Sequence, residues 1–288
     1  MHIESFADPA AFLAAATPFL VVEEAVHCIL LGVPGDMVRF GTGNPDARFW
    51  MMRDDRGAVS GAALQTPPLS LAVSRMSRDG AVALAAELQG LGVQLPGVRG
   101  PLDAATAFAE AWTRRTGMGV EAVGGGEHAW QLSRSASAGR ADVVPPTGQC
   151  VRATGQDLDA IGRWAAGASA AFGESPGHWS QNIELAVREQ QLYLWRDDEP
   201  VAMAMLRGET PRGVRVSGVF TPLVQRGKGY ATALVGAISE EALRVGREFC
   251  FLFTDASNKT AEGIYARLGY RAVATCQQYR FVALGGPE

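Results

Sequence analysis

The stretch Val224–Val235, VQRGKGYATALV, places two glycines directly before a long helical pattern of apolar residues. It follows a predicted strand at Val214–Phe220 and opens a helix predicted to run to about Val245. A glycine-rich turn at this point directs backbone N–H groups and the positive end of the helix dipole at one spot. The pattern therefore predicts an α/β chain with a phosphate-binding turn at residues 226–232.

Spacing separates three kinds of phosphate motif. A P-loop requires Gly at 222 and Ser or Thr at 229, where this chain has Pro222 and Gly229. The dinucleotide fingerprint G-x-G-x-x-G/A fails because Thr232 stands at its third position. The pattern [QR]-x-x-G-x-[GA] fits Arg226–Ala231. An ordinary strand-to-helix turn with basic surface side chains stays open as the alternative interpretation.

A weak internal repeat predicts two similar halves. Phe49–Leu64 reads FWMMRDDRGAVSGAAL and Leu192–Leu206 reads LYLWRDDEPVAMAML, about 143 residues apart in a chain of 288. Each is a β-hairpin pattern, with a bulky strand, Arg-Asp-Asp, a turn and a second strand; chance remains the alternative. Ser133–Gly148 is rich in small residues and proline, as linkers are. We therefore predict domains at 1–145 and 146–288.

Composition excludes several classes of function. The net charge is −4 and no run of Lys or Arg occurs, so we expect neither a nucleic acid nor a membrane as partner. The amino-terminal stretch lacks a basic segment, and Pro18, Glu23 and Glu24 interrupt its apolar residues, which argues against a signal peptide. We expect a cytoplasmic protein. No CxxC or Cys/His cluster exists, so no metal is expected and the scattered cysteines are predicted to be reduced: Cys28, Cys150, Cys250 and Cys276.

Residues 149–283 resemble the GNAT superfamily of N-acetyltransferases, most closely over Val214–Tyr270. In that family a strand, a pyrophosphate turn, a helix, a strand and a second helix follow in this order. The last helix has an Asn near its start and a Tyr that faces the thioester, and it ends Leu-Gly-Tyr or Leu-Gly-Phe. Asn258, Tyr265 and Leu268-Gly269-Tyr270 stand at those places.

The resemblance implies an α/β (α+β) GNAT fold, with a mixed, mostly antiparallel central sheet flanked by helices. The first half looks like a degenerate copy, which gives two copies in tandem. Its counterpart of the turn, Ser74–Leu84, keeps one glycine instead of the Gly-x-Gly pair.

The resemblance also implies acetyl-CoA as the donor co-substrate. Backbone groups around Phe220 should pair with the pantetheine arm as an added strand, and N–H groups of the turn should hold the pyrophosphate. Asn258 should contact the pantetheine or its phosphate, although a helix N-cap is an equally ordinary role for Asn there. The implied binding residues are Val219, Phe220, Thr221, Arg226, Gly227, Lys228, Gly229, Tyr230, Ala231, Thr232 and Asn258.

Tyr265 is the candidate general acid, which would donate a proton to the departing sulfur; a core packing role is the alternative. No general base is evident. Asp255 fits a turn better, and His178 has no visible partner, so water is a further option. Trp179 and Glu174 could line an acceptor site. Cys250 lies in an apolar strand and is expected in the core rather than as a nucleophile.

Two hypotheses follow for function. The first is direct acetyl transfer from acetyl-CoA to a primary amine of a small molecule or peptide, by a monomer or homodimer. The alternative is a non-catalytic acyl-CoA-binding regulatory module. Family membership supplies no acceptor, because one fold serves unrelated substrates.

Overall fold

A computed structural model describes residues 1–41, 44–137, 145–172 and 176–284. Within these residues twelve strands form one sheet. The strands are β1 (His2–Phe6), β2 (Arg48–Arg53), β3 (Val59–Gln65), β4 (Leu71–Val73), β5 (Gly97–Pro101), β6 (Gly119–Ser133), β7 (Gln149–Arg152), β8 (Leu192–Asp197), β9 (Glu199–Arg207), β10 (Gly213–Phe220), β11 (Phe249–Asp255) and β12 (Arg271–Val282).

Helices cover both faces of this sheet. They are α1 (Pro9–Leu20), α2 (Cys28–Phe40), α3 (Arg78–Gly90), α4 (Leu102–Thr116), α5 (Arg134–Ser137), α6 (Leu158–Gly162), α7 (Ala165–Phe172), α8 (Pro176–Arg188), α9 (Tyr230–Arg244) and α10 (Lys259–Arg267). We call the side that carries α1, α2 and α6–α8 the front face, and the side that carries α3, α4, α9 and α10 the back face.

The strand order reads alike from either edge of the sheet. The order is β1-β2-β3-β4-β5-β12-β6-β11-β10-β9-β8-β7. Each strand of the first half therefore has an equivalent six strands later in the chain, at the same distance from the opposite edge. The predicted hairpins are confirmed in both halves, as β2–β3 and β8–β9. The mixed, mostly antiparallel sheet flanked by helices is confirmed as well.

The last strand of each half lies in the sheet of the other half. β6 pairs along its length with β11, and β12 pairs with both β5 and β6. The cores follow the strands: Trp130 and Leu132 of β6 pack with the second half's back-face core, and Phe281 of β12 packs with the first half's. Neither half completes its own sheet.

The domain boundary near residue 145 stays a prediction. Residues 138–144 of the predicted linker lie outside the described residues. β6 ends at Ser133, α5 follows directly, and β7 begins at Gln149. The chain crosses from one half to the other here while the sheet itself continues.

Two local predictions around the acceptor side were wrong. The apolar spacing of Leu158, Ile161, Trp164 and Ala165 predicts one helix over Asp157–Phe172. The structure divides this stretch into a 3₁₀ turn, α6 and α7. The stretch GESPGHWSQ, residues 173–181, predicts a loop before a short helix around Ile183–Arg188. Residues 173–175 lie outside the described residues, but α8 already begins at Pro176, a residue well tolerated in a first helical turn. The sequence pattern therefore predicts the first helix too long and the second helix, α8, too short.

A buried carboxylate joins the halves on the front face. Glu24 is 2% exposed, and its two oxygens accept hydrogen bonds from the backbone N–H and the Nε of Arg212, both at 2.7 Å. Nη2 of Arg212 also donates to the carbonyl of Val21 at 2.7 Å. The pair ties the segment before α2 to the segment before β10.

We expect Arg212→Met to lower the free energy of unfolding by roughly 3 kcal/mol, because it leaves a buried carboxylate without its cation. Arg244→Met is the matched control, since the Arg244–Glu241 pair is exposed and such pairs contribute about 1 kcal/mol or less. Urea denaturation measures both. If both variants lose the same free energy of unfolding, the buried Glu24–Arg212 pair stabilises the fold no more than an exposed pair does.

No helix in the described part of the chain is both long enough and apolar enough to cross a membrane.

Candidate functional site

A cleft opens between the neighbouring strands β10 and β11. The two strands run parallel and pair only where Gly213–Arg215 face Phe249–Phe251. Beyond Arg215 the two strands separate, although β11 stays paired with β6 as far as Asp255. The later backbone groups of β10 are thus left without a strand on this side, which suits an added extended ligand.

A bulge on the other side of β10 turns the strand at this point. The register with β9 shifts between Ser217 and Phe220, and Gly218 has φ +59°. A Cβ on Gly218 would meet Cε of Met205, so that flexible side chain would have to shift, and the positive φ itself favours glycine. Phe220 turns to the front face, where its ring lies 6.2 Å from that of Trp164.

The glycine-rich turn presents an open helix start. Gly227 and Gly229 have φ +79° and +85°, values that favour glycine. Gly229 is the N-cap of α9, and within the described chain no side chain caps this end. A Cβ on Gly227 would meet no atom within 4 Å. The start of α9 thus has no side-chain cap in the described chain, and an uncapped helix start of this kind is a typical phosphate-binding feature.

The polar side chains of this turn mostly brace it. Nε of Arg226 donates to the carbonyl of Thr221 at 3.1 Å, and Nζ of Lys228 donates to Gln225 at 2.7 Å. The hydroxyl of Tyr230 donates to Asp197 at 2.7 Å, in the turn of the β8–β9 hairpin. The side chains shape the turn, which leaves ligand binding mainly to the backbone.

We expect Ala231→Asp to weaken acetyl-CoA binding by roughly 10–100-fold, because a carboxylate in the first turn of α9 repels the diphosphate that charge-assisted hydrogen bonds would hold. The same charge favours the helix dipole, so the melting temperature should not fall. Ala231→Asn is the neutral control. Isothermal titration with acetyl-CoA measures both; equal affinities for the two variants would contradict this placement of the phosphates.

Asn258 caps α10, as one of its two expected roles requires. Its Oδ1 accepts from the N–H of Ala261 at 3.0 Å. Its contact with a donor stays a prediction. The next turn of the helix is held by the first half, because Nδ1 of His128 on β6 lies 2.7 Å from Oε1 of Glu262. Hydrogen bonds from Lys259 and His128 hold the pKa of Glu262 below its usual range.

Tyr265 lies on α10 one turn beyond Glu262 and is 7% exposed. Its ring meets that of Tyr270 edge-on, with centroids 5.8 Å apart. Its hydroxyl makes no hydrogen bond within the described chain. Burial alone raises the pKa of Tyr265 to about 12. The phenol is therefore protonated at neutral pH and is suited to donate a hydrogen bond rather than to act as a base.

The remaining candidates are distributed as follows. Asp255 is exposed and accepts two hydrogen bonds from Ser257, which lower its pKa, so it is a turn residue. Trp179 is 3% exposed within the front-face core, beside Ile183. Cys250 is fully buried, as expected of a core residue. The side chain of His178 and all of Glu174 lie outside the described residues.

The corresponding site in the first half is closed. Ser77 caps α3 by accepting from the N–H of Gly80 at 3.1 Å, and Asp79 adds a negative charge to the first turn. Counted from the helix starts, Phe108 takes the place of Tyr265 and lacks the hydroxyl. The space beside β4 and β5 is a cavity of about 20 Å³, enough for about one water molecule.

Residues 161–270 match the model of the acetyltransferase (GNAT) family. This region is a GNAT acetyltransferase domain. It contains the cleft, the glycine-rich turn and Tyr265. No curated protein matches the sequence significantly.

Solved structures extend the likeness of the GNAT domain to the whole chain. A GCN5-related N-acetyltransferase from Sphaerobacter thermophilus has a TM-score of 0.59 at 17% identity, over 99% of this chain and 98% of that chain. A GNAT-family acetyltransferase from Colwellia psychrerythraea has a TM-score of 0.59 at 14% identity, over 98% and 100%. A tandem GNAT protein from the clavulanic acid biosynthesis pathway has a TM-score of 0.57 at 11% identity, over 100% of both. At such identities the comparison establishes the fold.

Proposed function

We propose that the protein transfers an acetyl group from acetyl-CoA directly to a primary amine of a small molecule or peptide. The observation that carries the proposal is the continuity between the opened β10–β11 pair and the uncapped start of α9 at Gly229. Acetyl-CoA, when bound, supplies an acetyl thioester, whose carbonyl carbon an amine attacks with loss of the CoA thiol. A cytoplasmic location stays a prediction.

The second half of the chain would hold the donor with backbone groups. The unpaired edge of β10 at Val219–Thr221 would bind the pantetheine arm, and the N–H groups from Arg226 to Thr232 would bind the pyrophosphate. Asn258 keeps its amide N–H₂ available, since its cap uses only the oxygen within the described chain. The positive helix end strengthens each of these hydrogen bonds.

Tyr265 would hold the proton that the departing sulfur requires. A phenol with a pKa of about 12 is a weak acid. A thiolate that develops in the same buried place is also desolvated, which raises its basicity and favours proton transfer from Tyr265. The amine loses its own proton to water or to a base that we do not assign.

Direct transfer is supported by the state of three cysteines. Burial raises the pKa of the Cys28 and Cys150 thiols to about 11, and that of Cys276 to about 12. These thiols stay protonated at neutral pH and are poor nucleophiles. An acyl-enzyme on any of them is therefore disfavoured.

The test combines donor binding and turnover. Acetyl-CoA at 100 times its Kd should stabilise the protein by roughly 2.7 kcal/mol, seen as a thermal shift. CoA release should then appear with members of a panel of primary amines. Absence of a shift at millimolar acetyl-CoA would contradict the proposal, and binding without release across the panel would favour the regulatory module.

A further inference from the structure

Arg215 of β10 is a partly buried cation. Within the described chain it forms neither an ion pair nor a hydrogen bond, and its Nε atom is covered. A covered N–H group that makes no hydrogen bond is costly, and such groups in native proteins call for an explanation. Ser217, two residues along the same strand, has a buried Oγ that likewise makes no hydrogen bond to the described residues.

Both side chains project from the front face, beside the cleft. Val214 and Val216, which alternate with them, pack into the back-face core. Ser217 marks the start of the bulge, and Arg215 is the last residue of β10 that pairs with β11. The unpartnered groups therefore stand on one wall of the proposed transfer site.

Helices from both halves flank this part of the front face. α8 of the second half packs over Met203 and Met205. α2 of the first half comes so close that a Cβ on Gly32 would lie 2.8 Å from Gly208, and its Cys28 packs on Phe251, the neighbour of Arg215 on β11. Arg215 and Ser217 thus lie between the helices of the two halves.

The charges nearby leave Arg215 free to bind an anion. The carboxylate of Asp36 on α2 interacts electrostatically with Arg215, but more strongly with Arg207. Burial raises the pKa of Asp36. The guanidinium of Arg215 lies against the backbone of Gly208, with Nη2 3.6 Å from the place of a Cβ there. Since Gly208 has no side chain, this contact leaves the charge of Arg215 unneutralised.

We propose that Arg215 binds a carboxylate of the acceptor, so that the acceptor is an amino acid whose free amine is acetylated. The covered Nε–H and one Nη–H of a guanidinium form the fork that pairs with both oxygens of a carboxylate. Ser217, closer to the bulge, would donate to the same acceptor or to the acetyl carbonyl. Acetylation of the bound amino acid rests on the proposed function, whereas binding of its carboxylate does not.

Direct binding tests the site without turnover. In ¹⁵N-labelled protein the Nε–H signal of Arg215 is assigned by its loss in Arg215→Gln. Millimolar glycine or phenylalanine should shift this signal, and glycinamide or phenylalaninamide should not. The exposed Arg48 provides the control Arg48→Gln, which should leave the response unchanged.

Turnover tests the same preference. Wild-type protein should acetylate an amino acid at least about tenfold more efficiently, as kcat/KM, than its amide, because charge-assisted hydrogen bonds discriminate by that much or more. Arg215→Gln should abolish the preference, mainly through KM for the acid, and Arg215→Lys should restore part of it. Arg48→Gln should leave it intact.

Stability separates a binding role from a packing role. Since Nε of Arg215 has no partner to lose, Arg215→Gln should melt no lower than wild type. A large fall in melting temperature, with no change in amino-acid preference, would assign Arg215 to packing and overturn the proposal.

The outcomes distinguish the two proposals. If amino acids bind but no amine is acetylated, the carboxylate site stands and the proposed function fails. If acetyl-CoA binds and amines react but acids and amides bind and react alike, the carboxylate site fails and the proposed function stands. A stronger response to phosphoethanolamine than to any amino acid would also overturn the assignment to a carboxylate.

Discussion

Residues 146–288 produced alone are expected not to form a folded monomer, although they contain the whole GNAT domain match. Without β6, the edge of β11 from Phe249 to Asp255 loses its strand partner. β12 loses both of its neighbours, because β5 and β6 belong to the first half. The back-face core also loses Trp130, which donates from Nε1 to Thr254 at 2.9 Å. We expect aggregation, or a dimer of fragments that exchange their own β12 strands.

Size-exclusion chromatography and urea denaturation measure this result. The matched control is the same fragment co-expressed with residues 1–145, which supplies β6 and should restore a single cooperative transition and acetyl-CoA binding. A fragment that is monomeric, unfolds cooperatively and binds acetyl-CoA by itself would show that strand exchange is not required for the fold.

Tyr265→Phe is expected to lower kcat by about 100-fold or more, the usual contribution of a positioned general acid. The affinity for acetyl-CoA should change little, because the hydroxyl is not among the groups that would hold the donor. The melting temperature should also be kept, since the hydroxyl makes no hydrogen bond in the described chain. Stopped-flow or steady-state detection of CoA release measures kcat.

Tyr270→Phe is the matched control, since its ring contacts that of Tyr265. The hydroxyl of Tyr270 lies 2.7 Å from Oγ of Ser239 in the core. Its loss should cost about 1 kcal/mol of stability and leave kcat nearly unchanged. The two variants thus have opposite expected effects. Unaltered turnover in Tyr265→Phe would remove Tyr265 from the chemistry.

Sequence patterns predict turns and hairpins well, because the residues that form them lie close together in the chain. The glycines at 227 and 229 adopt the left-handed backbone that the motif requires, and the repeated hairpins form as expected. The loss of one glycine also pointed to erosion of the first-half site, where Ser77 now caps the helix. The residues responsible lie within a few positions of each other, so their spacing carries the information.

The surroundings of α8 and β10 are poorly predicted by the sequence. The sequence predicts Trp179 in a loop, as one wall of an acceptor site, but it packs in the core from the apolar face of α8. No sequence motif singles out Arg215, since an arginine in a strand has no characteristic spacing. Only its missing partner marks it, and a missing partner is a property of the packed molecule.

The turn at residues 226–232 and the two hairpins are predictable from short stretches of the chain, because each depends on backbone preferences and periodicity. The candidate Tyr265 is implied by the family resemblance, since periodicity alone favours a packing role for it. The tertiary structure decided that β6 and β12 change places and that α2 flanks the second half's cleft. The packing also leaves Nε of Arg215 without a hydrogen bond to the described residues. Strand pairing across more than 100 residues leaves no local pattern, because either half's last strand presents a similar face to either sheet.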